Sequence, residues 1–137
     1  MMPAAGHLEH MPSHIFQRVG RYEEAAAANR SGIAADLAYF KAARAPDYYA
    51  MYTAHNYQLL AFAAAMRGGK AATLEAAAKS REIVPDTMLL GSPGHEWYVA
   101  EQYAARIRFG LWDEDPGAAG IQSETARAHR RLAVRDC

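Results

Sequence analysis

The chain has only one cysteine, no surplus of charge of either sign and no long apolar segment. Each of these features argues against a class of protein. Cys137 is the last of 137 residues and cannot form an internal disulfide, so no oxidising compartment is implied. Fifteen basic residues balance fifteen acidic ones, so we expect no binding of nucleic acid. The longest apolar run, 59–66, is too short to span a bilayer, so no membrane insertion is expected.

The start of the chain lacks the basic and apolar regions of a signal peptide. We therefore expect the protein, as the sequence stands, to be cytoplasmic. The alternative is that a longer parent protein carries an export signal upstream.

Alanine supplies much of the 51% hydrophobic content, whereas β-branched residues are few. Because alanine has the highest helix propensity, this composition predicts an all-α protein with close helix contacts. Apolar residues at steps of three and four, together with glycine and proline breaks, predict helices over about 7–19, 22–37, 48–67, 70–83 and 93–109. Pro12 either begins the first helix or kinks it, because proline inside a helix removes a backbone hydrogen bond. The segments 38–46 and 88–91 are predicted connectors.

A helix, a glycine turn and a second helix recur along the chain. The residues at these turns and repeat ends are Gly20, Tyr22, Ala25, Gly68, Pro85, Gly110 and Trp112. The first copy, Gly20-Arg-Tyr-Glu-Glu-Ala25, resembles the middle of a tetratricopeptide repeat, in which a glycine ends one helix and an aromatic residue opens the next. The histidine-rich segment 6–15 further resembles a bacterial subfamily of longer tetratricopeptide proteins, so we expect a fragment of a longer array.

This resemblance implies an α-solenoid, a right-handed superhelix of stacked antiparallel helical hairpins. It implies one helical repeat domain over 1–114 and a flexible or marginally helical tail over 115–137. The three expected hairpins span about 7–37, 48–83 and 93–114, the last of them incomplete.

Three of the six histidines fall within eight residues. If this segment is helical, His7, His10 and His14 share one face, and the resemblance would bring His55 close to them from the first helix of the next repeat. Neutral imidazoles that converge in this way suit zinc, copper or nickel. The alternative, which needs no cofactor, is that these histidines hydrogen-bond and pack between helices.

Tetratricopeptide arrays bind protein or peptide segments in a groove lined by the first helices, so the resemblance implies a protein-interaction module or scaffold. The candidate groove residues are His10, His14, Tyr48, Tyr52, His55 and Asn56. One alternative is a transition-metal-binding protein that uses the four histidines named above. Another is a truncated fragment without independent function that self-associates through its uncapped repeat ends.

No enzyme signature is present in the sequence. His95-Glu96 lacks the second histidine of a metalloprotease motif, because position 99 is Val99. Gly68-Gly-Lys70 lacks the remaining residues of a phosphate-binding loop. We therefore expect that the chain is not an enzyme.

Overall fold

The computed structural model describes residues 5–46, 48–91, 95 and 97–111. Within these ranges the helices are α1 (Gly6–His10), α2 (Pro12–Arg18), α3 (Tyr22–Ala42), α4 (Tyr49–Met66), α5 (Lys70–Ile83), α6 (Asp86–Gly91) and α7 (Trp97–Arg108). The described residues contain no strand, so the predicted all-α class is confirmed. None of the described helices is long and apolar enough to cross a membrane. The predicted turn residue Trp112 and the predicted tail 115–137 lie outside the described residues.

The first helical segment is kinked at Pro12, as one of the two sequence alternatives requires. Met11 keeps right-handed helical dihedral angles between α1 and α2, and its N–H donates to the carbonyl of His7 at 3.0 Å. The proline ring then removes the next backbone donor, which divides the helix in two. Because the chain remains helical on both sides, His7, His10 and His14 follow one another at successive helical turns.

The first predicted connector, 38–46, is partly wrong, and the second, 88–91, is wrong. Helix α3 continues to Ala42 and so occupies the first part of the predicted connector 38–46. It ends where Ala43 becomes extended, a few residues before Pro46, which disfavours helix in the residue preceding it.

The predicted loop 88–91 lies instead in α6. The carbonyl of Pro85 accepts the N–H groups of Met88 and Leu89. Pro85 therefore precedes a new helical turn, because the fixed φ of proline and its missing N–H suit the start of a helix.

Helices that are adjacent in the chain pack against one another. Both α1 and α2 contact α3, and α3 contacts α4, which contacts α5, which contacts α7. Helix α4 also contacts α1 on one side and α7 on the other. Gly20, Gly68 and Gly110 adopt positive φ angles of 75°, 75° and 70° at the ends of α2, α4 and α7, a conformation that glycine adopts without a steric penalty.

Alanine forms most of the buried apolar core. One cluster contains Ala25, Ala26 and Ala63, with Phe16 and Leu60 packed against it. A second contains Ala61, Ala76, Ala77 and Ala105. Because these side chains are short, the helix backbones can approach one another closely.

Glycine allows the closest approach, which is between α1 and α3. A Cβ atom added at Gly32 would lie 2.7 Å from the backbone oxygen of Gly6 and 3.0 Å from the Cβ atom of His10. The backbone oxygen cannot move away without displacing α1. The contact therefore fixes the position of His10 against α3.

We expect Gly32→Ala to lower the free energy of unfolding by about 1–3 kcal/mol, the usual cost of overpacking, although alanine favours helix more than glycine does. Urea denaturation followed by circular dichroism measures the change. The control is Arg30→Ala on the exposed side of α3, for which we expect a change within about 0.5 kcal/mol. Equal stability of Gly32→Ala and the wild type would contradict the close packing of α1 on α3.

Candidate metal centre

Three histidines from three helices converge where α4 packs against α1 and α2. His10 belongs to α1, His14 to α2 and His55 to α4. Each offers a ring nitrogen, and these nitrogens all lie within 4.8 Å of one another. The ring centroids of His10 and His14 are 4.7 Å apart, and those of His10 and His55 are 4.9 Å apart. We call this group the histidine cluster.

The hydrogen bonds of Asn29 determine which nitrogen of His10 faces the cluster. The Asn29 Nδ2 donates to the carbonyl of Ala25 at 2.8 Å, so its Oδ1 is the atom 2.7 Å from His10 Nδ1. An amide oxygen can only accept, so His10 Nδ1 carries the proton and Nε2 carries the lone pair. Metal-bound histidines are usually held in this way by an oxygen on the nitrogen away from the metal.

His14 lies directly in front of that lone pair. The Nε2 atoms of His10 and His14 are 3.0 Å apart. Since His10 Nε2 is unprotonated, His14 Nε2 donates the hydrogen in this arrangement. Two nitrogens bound to one tetrahedral zinc ion would be about 3.3 Å apart, because zinc–nitrogen bonds are about 2.0–2.1 Å long. The pair is therefore within a few tenths of an ångström of the spacing that a shared ion requires.

His55 is oriented by an amide in a similar way. Its Nδ1 lies 3.4 Å from Gln58 Oε1. An amide oxygen can only accept, so in this arrangement His55 Nδ1–H donates to Gln58 and its Nε2 carries a lone pair.

Burial favours the uncharged form of two of the three histidines, His10 and His55. His10 is fully buried, whereas His14 and His55 are half-buried. Burial, reinforced by the neighbouring histidines, lowers the pKa of His10 from 6.5 to about 4, against the opposing effect of the Asn29 hydrogen bond. Burial also lowers the pKa of His55. These two imidazoles are therefore neutral near pH 7, the form that binds a metal.

His7 lies next to the cluster but is not within ligand distance of all three members. Its ring stacks on that of His10 with a centroid distance of 5.6 Å and meets Tyr52 edge-on at 5.2 Å. Its Nδ1 is buried and has no hydrogen-bond partner in the described part of the chain. Of the four histidines considered as metal ligands from the sequence, the structure therefore groups three.

Asn56 belongs to a separate buried network centred on Asp36. The two oxygens of Asp36 accept hydrogen bonds from three residues of α4: Tyr49 Oη at 3.1 Å, Thr53 Oγ1 at 3.1 Å and Asn56 Nδ2 at 2.8 Å. Burial raises the pKa of the Asp36 carboxyl, although these hydrogen bonds act in the opposite direction. This network joins α3 to α4 and so holds His55 opposite His10.

The candidate groove residues differ in their accessibility. Tyr48 and Tyr52 are 60% and 42% exposed, whereas His10 and Asn56 are fully buried. A partner that lies on this surface would therefore contact the two tyrosines and the exposed edges of the half-buried histidines. The groove itself stays a prediction.

Sequence reasoning did not select Asn29, Asp36 and Gln58 as parts of the site. Asn29 and Asp36 do carry a signal, because they follow Ala25 at helical steps along the face of α3 that is otherwise built of small residues. A polar side chain on such a face must find a partner, since unpaired burial is costly. Gln58 lies one helical turn after His55, which is within hydrogen-bonding reach but is a common spacing.

Comparisons with family models, with curated proteins and with solved structures find no match to this chain. Its function is therefore argued from the geometry of the site.

We expect the stability of the protein to fall as the pH decreases from about 6.5 to about 4, the interval between the ordinary and the folded-state pKa of His10. In this interval His10 is protonated in the unfolded chain but stays neutral in the folded chain, where it is buried. Acid therefore lowers the free energy of unfolding by at most about 3 kcal/mol. Urea denaturation between pH 4 and 8 (about the range over which histidines titrate) measures the change.

His10→Gln removes this titration while keeping an amide donor for Asn29. We expect a smaller loss of stability in acid for this variant than for the wild type, because the titration of His10 is absent, while the lowered pKa of His55 still acts in the same direction. Equal pH dependence in the two proteins would show that His10 is not held neutral by the fold.

Proposed function

We propose that this chain is a helical-repeat module of the tetratricopeptide type that binds a divalent transition-metal ion through His10, His14 and His55. The repeat assignment is supported by the left-handed glycines at the ends of α2, α4 and α7. It is also supported by the packing of successive helices on their neighbours in the chain, as in a solenoid. In such an array α1–α2, α4 and α7 are the first helices of their repeats, and the histidine cluster lies where the first two of these meet.

The observation that carries the metal assignment is the convergence of three ring nitrogens, one from each histidine, which all lie within 4.8 Å of one another. Asn29 holds His10 and Gln58 holds His55 by Nδ1, and the Nε2 atoms of His10 and His14 are 3.0 Å apart. Lone pairs that face one another repel unless a proton or a cation lies between them. A single proton can lie between only one pair of nitrogens, whereas one metal ion can bind all three nitrogens.

The donor set determines the class of metal. Imidazole nitrogens suit zinc, copper and nickel, whereas magnesium and calcium prefer oxygen ligands. Packing alone would account for the buried hydrogen bond from His10 to Asn29. It also accounts for the hydrogen bond between His14 and His10, but it gives no reason for a ring nitrogen of His55 to lie within 4.8 Å of both. The metal assignment accounts for all of these features.

We expect the purified protein, stripped with a chelator, to bind about one zinc ion per chain with an increase in melting temperature. A ligand present at about 100 times its dissociation constant adds about 2.7 kcal/mol to the free energy of unfolding. His10→Ala, His14→Ala and His55→Ala should each lower the affinity, and Asn29→Ala should lower it by about 10–100-fold, because outer-shell partners orient the ligands. Isothermal titration calorimetry measures the affinities.

The matched control is His95→Ala, because His95 lies outside the cluster and hydrogen-bonds the carbonyl of Met88. We expect its zinc affinity to equal that of the wild type. Should an alanine variant unfold, His55→Gln provides a second test, since glutamine fills a similar volume but binds zinc weakly. Wild-type protein whose melting temperature is unchanged by zinc, copper and nickel would refute the metal assignment.

Protein binding is a second candidate function, and the exposed apolar side chains of α1 and α2 favour it. Leu8, Ile15 and Val19 are 63–64% exposed, and Met11 is exposed beside them. Their steps of three and four residues place them along one side of the kinked helix. An exposed stripe of this kind suits the apolar face of another helix. We call these four residues the apolar stripe.

If the apolar stripe pairs with another helix, we expect wild-type protein to self-associate as its concentration increases. Ile15→Lys should shift the equilibrium toward monomer, because a charge at the contact must be desolvated. Sedimentation velocity measures the distribution. The control Ala27→Lys places the same charge on an exposed position of α3. It should leave the distribution between monomer and oligomer unchanged. A wild type that is monomeric at its highest soluble concentration would argue against this use of the stripe.

A further inference from the structure

The histidine cluster supplies three ligands, which leaves one coordination position of a tetrahedral ion without a protein donor. Structural zinc sites usually have four protein ligands, whereas sites that act on other molecules have three and keep the fourth position for water or a substrate. In the described part of the chain, the side chains close enough to share one ion are those of His10, His14 and His55. No carboxylate or thiolate of the described residues belongs to this group.

The acidic side chains on the packed helices are not among the converging ligands. Asp36 accepts hydrogen bonds from three side chains of α4. Glu9 accepts a hydrogen bond from Ser31 at 3.1 Å on the exposed side of α1. Glu101 of α7 has a buried Oε2 without a hydrogen-bond partner among the described residues, but it does not belong to the group within ligand distance. These three carboxylates therefore supply no ligand to the cluster as the structure places them.

The charge of the site follows from these contacts. Three neutral imidazoles leave the full double charge of a divalent ion uncompensated in a half-buried location. A cation in such a location is stabilised strongly by an anion that binds directly to it, because the surroundings screen the attraction less than water does. The charge therefore favours an anionic fourth ligand over water.

The burial of the three histidines shows where such a ligand would enter. His10 is fully buried and forms the floor of the cluster, whereas His14 and His55 are partly exposed and form its rim. Tyr52, which is also exposed, lies beside this rim in contact with His7. The rings of His14 and His55 stack on one another with a centroid distance of 5.6 Å, so the partly exposed side of the cluster is the side that these two rings form together.

We propose that the metal ion held by the histidine cluster keeps one coordination position open on the partly exposed side of the cluster, the side formed by His14 and His55, and that this position binds a small carboxylate or comparable anion. This inference rests on the proposed metal site. It makes the cluster a ligand-binding centre, in which the bound ion recognises the anion and the helices hold the ion.

His7 is the residue that would make this inference wrong. Its ring stacks on His10, and its buried Nδ1 has no hydrogen-bond partner among the described residues. A rotation of its side chain toward the ion would supply a fourth imidazole and close the site. The structure instead places it against Tyr52, outside the group of converging ligands.

Cobalt(II) is the probe, because its visible absorption reports coordination number and ligand type while its bonding resembles that of zinc. The wild-type protein is loaded with one equivalent of cobalt, and acetate and azide are then titrated in separate experiments. We expect a saturable change in the visible spectrum with one anion bound per cobalt. We expect the same response from His7→Gln, because His7 is not a ligand.

The outcomes of these titrations distinguish the proposed metal site from the proposed open coordination position. Cobalt that binds but whose spectrum responds to neither anion would overturn the open position and leave the metal site standing. An anion response that appears in His7→Gln but not in the wild type would show that His7 fills the fourth position, and it would also overturn the inference. Failure of the wild type to bind cobalt would remove the proposed metal site, and this inference with it.

Discussion

The close approach of α1 to α3 is the contact on which the histidine cluster depends. Gly32 has no Cβ atom, so the backbone of Gly6 and the side chain of His10 can lie against it. This places the His10 ring deep enough to reach Asn29 and fixes its remaining nitrogen toward His14. A wider separation of the two helices would leave His10 in water, with no preferred tautomer or direction.

Close packing through alanine and glycine also explains why so many buried groups are polar. Short apolar side chains remove little surface from water, so the helices gain less from the hydrophobic effect than helices that bury leucine. Hydrogen bonds between helices then fix their relative positions. Asp36 joins α3 to α4, and Ser80 of α5 donates to the carbonyl of Ala54 in α4 at 3.0 Å. Each such group is costly to leave unpaired, so these bonds specify one arrangement of the helices.

The sequence predicted the helical class and most helix positions, because alanine-rich segments with apolar periodicity and glycine breaks contain that information locally. It also selected His10, His14 and His55: helical spacing placed His10 and His14 on one face, and the approach of His55 was expected from the family resemblance. It did not predict α6 or the full length of α3, since Pro85 and the segment after Leu37 carry weak and conflicting local signals. The role of Asn29 depends on a contact between α3 and α1, which no local pattern encodes. Gln58 contacts His55 within α4 at a spacing that is too common to single it out.

The sequence left open whether Pro12 separates His7 from the other histidines, and the structure places His7 beside the histidine cluster but outside its converging nitrogens. Met11 stays helical, so His7 remains on the same side of the kinked helix as His10. Its ring nevertheless packs against Tyr52, and no amide holds it by one nitrogen as Asn29 holds His10 and Gln58 holds His55. Neighbouring acceptors therefore orient His10 and His55, whereas His14 is positioned by its contact with His10 and His7 by its contact with Tyr52. Acceptors of this kind are usual around metal-binding histidines, because they hold the lone pair of the opposite nitrogen toward the ion.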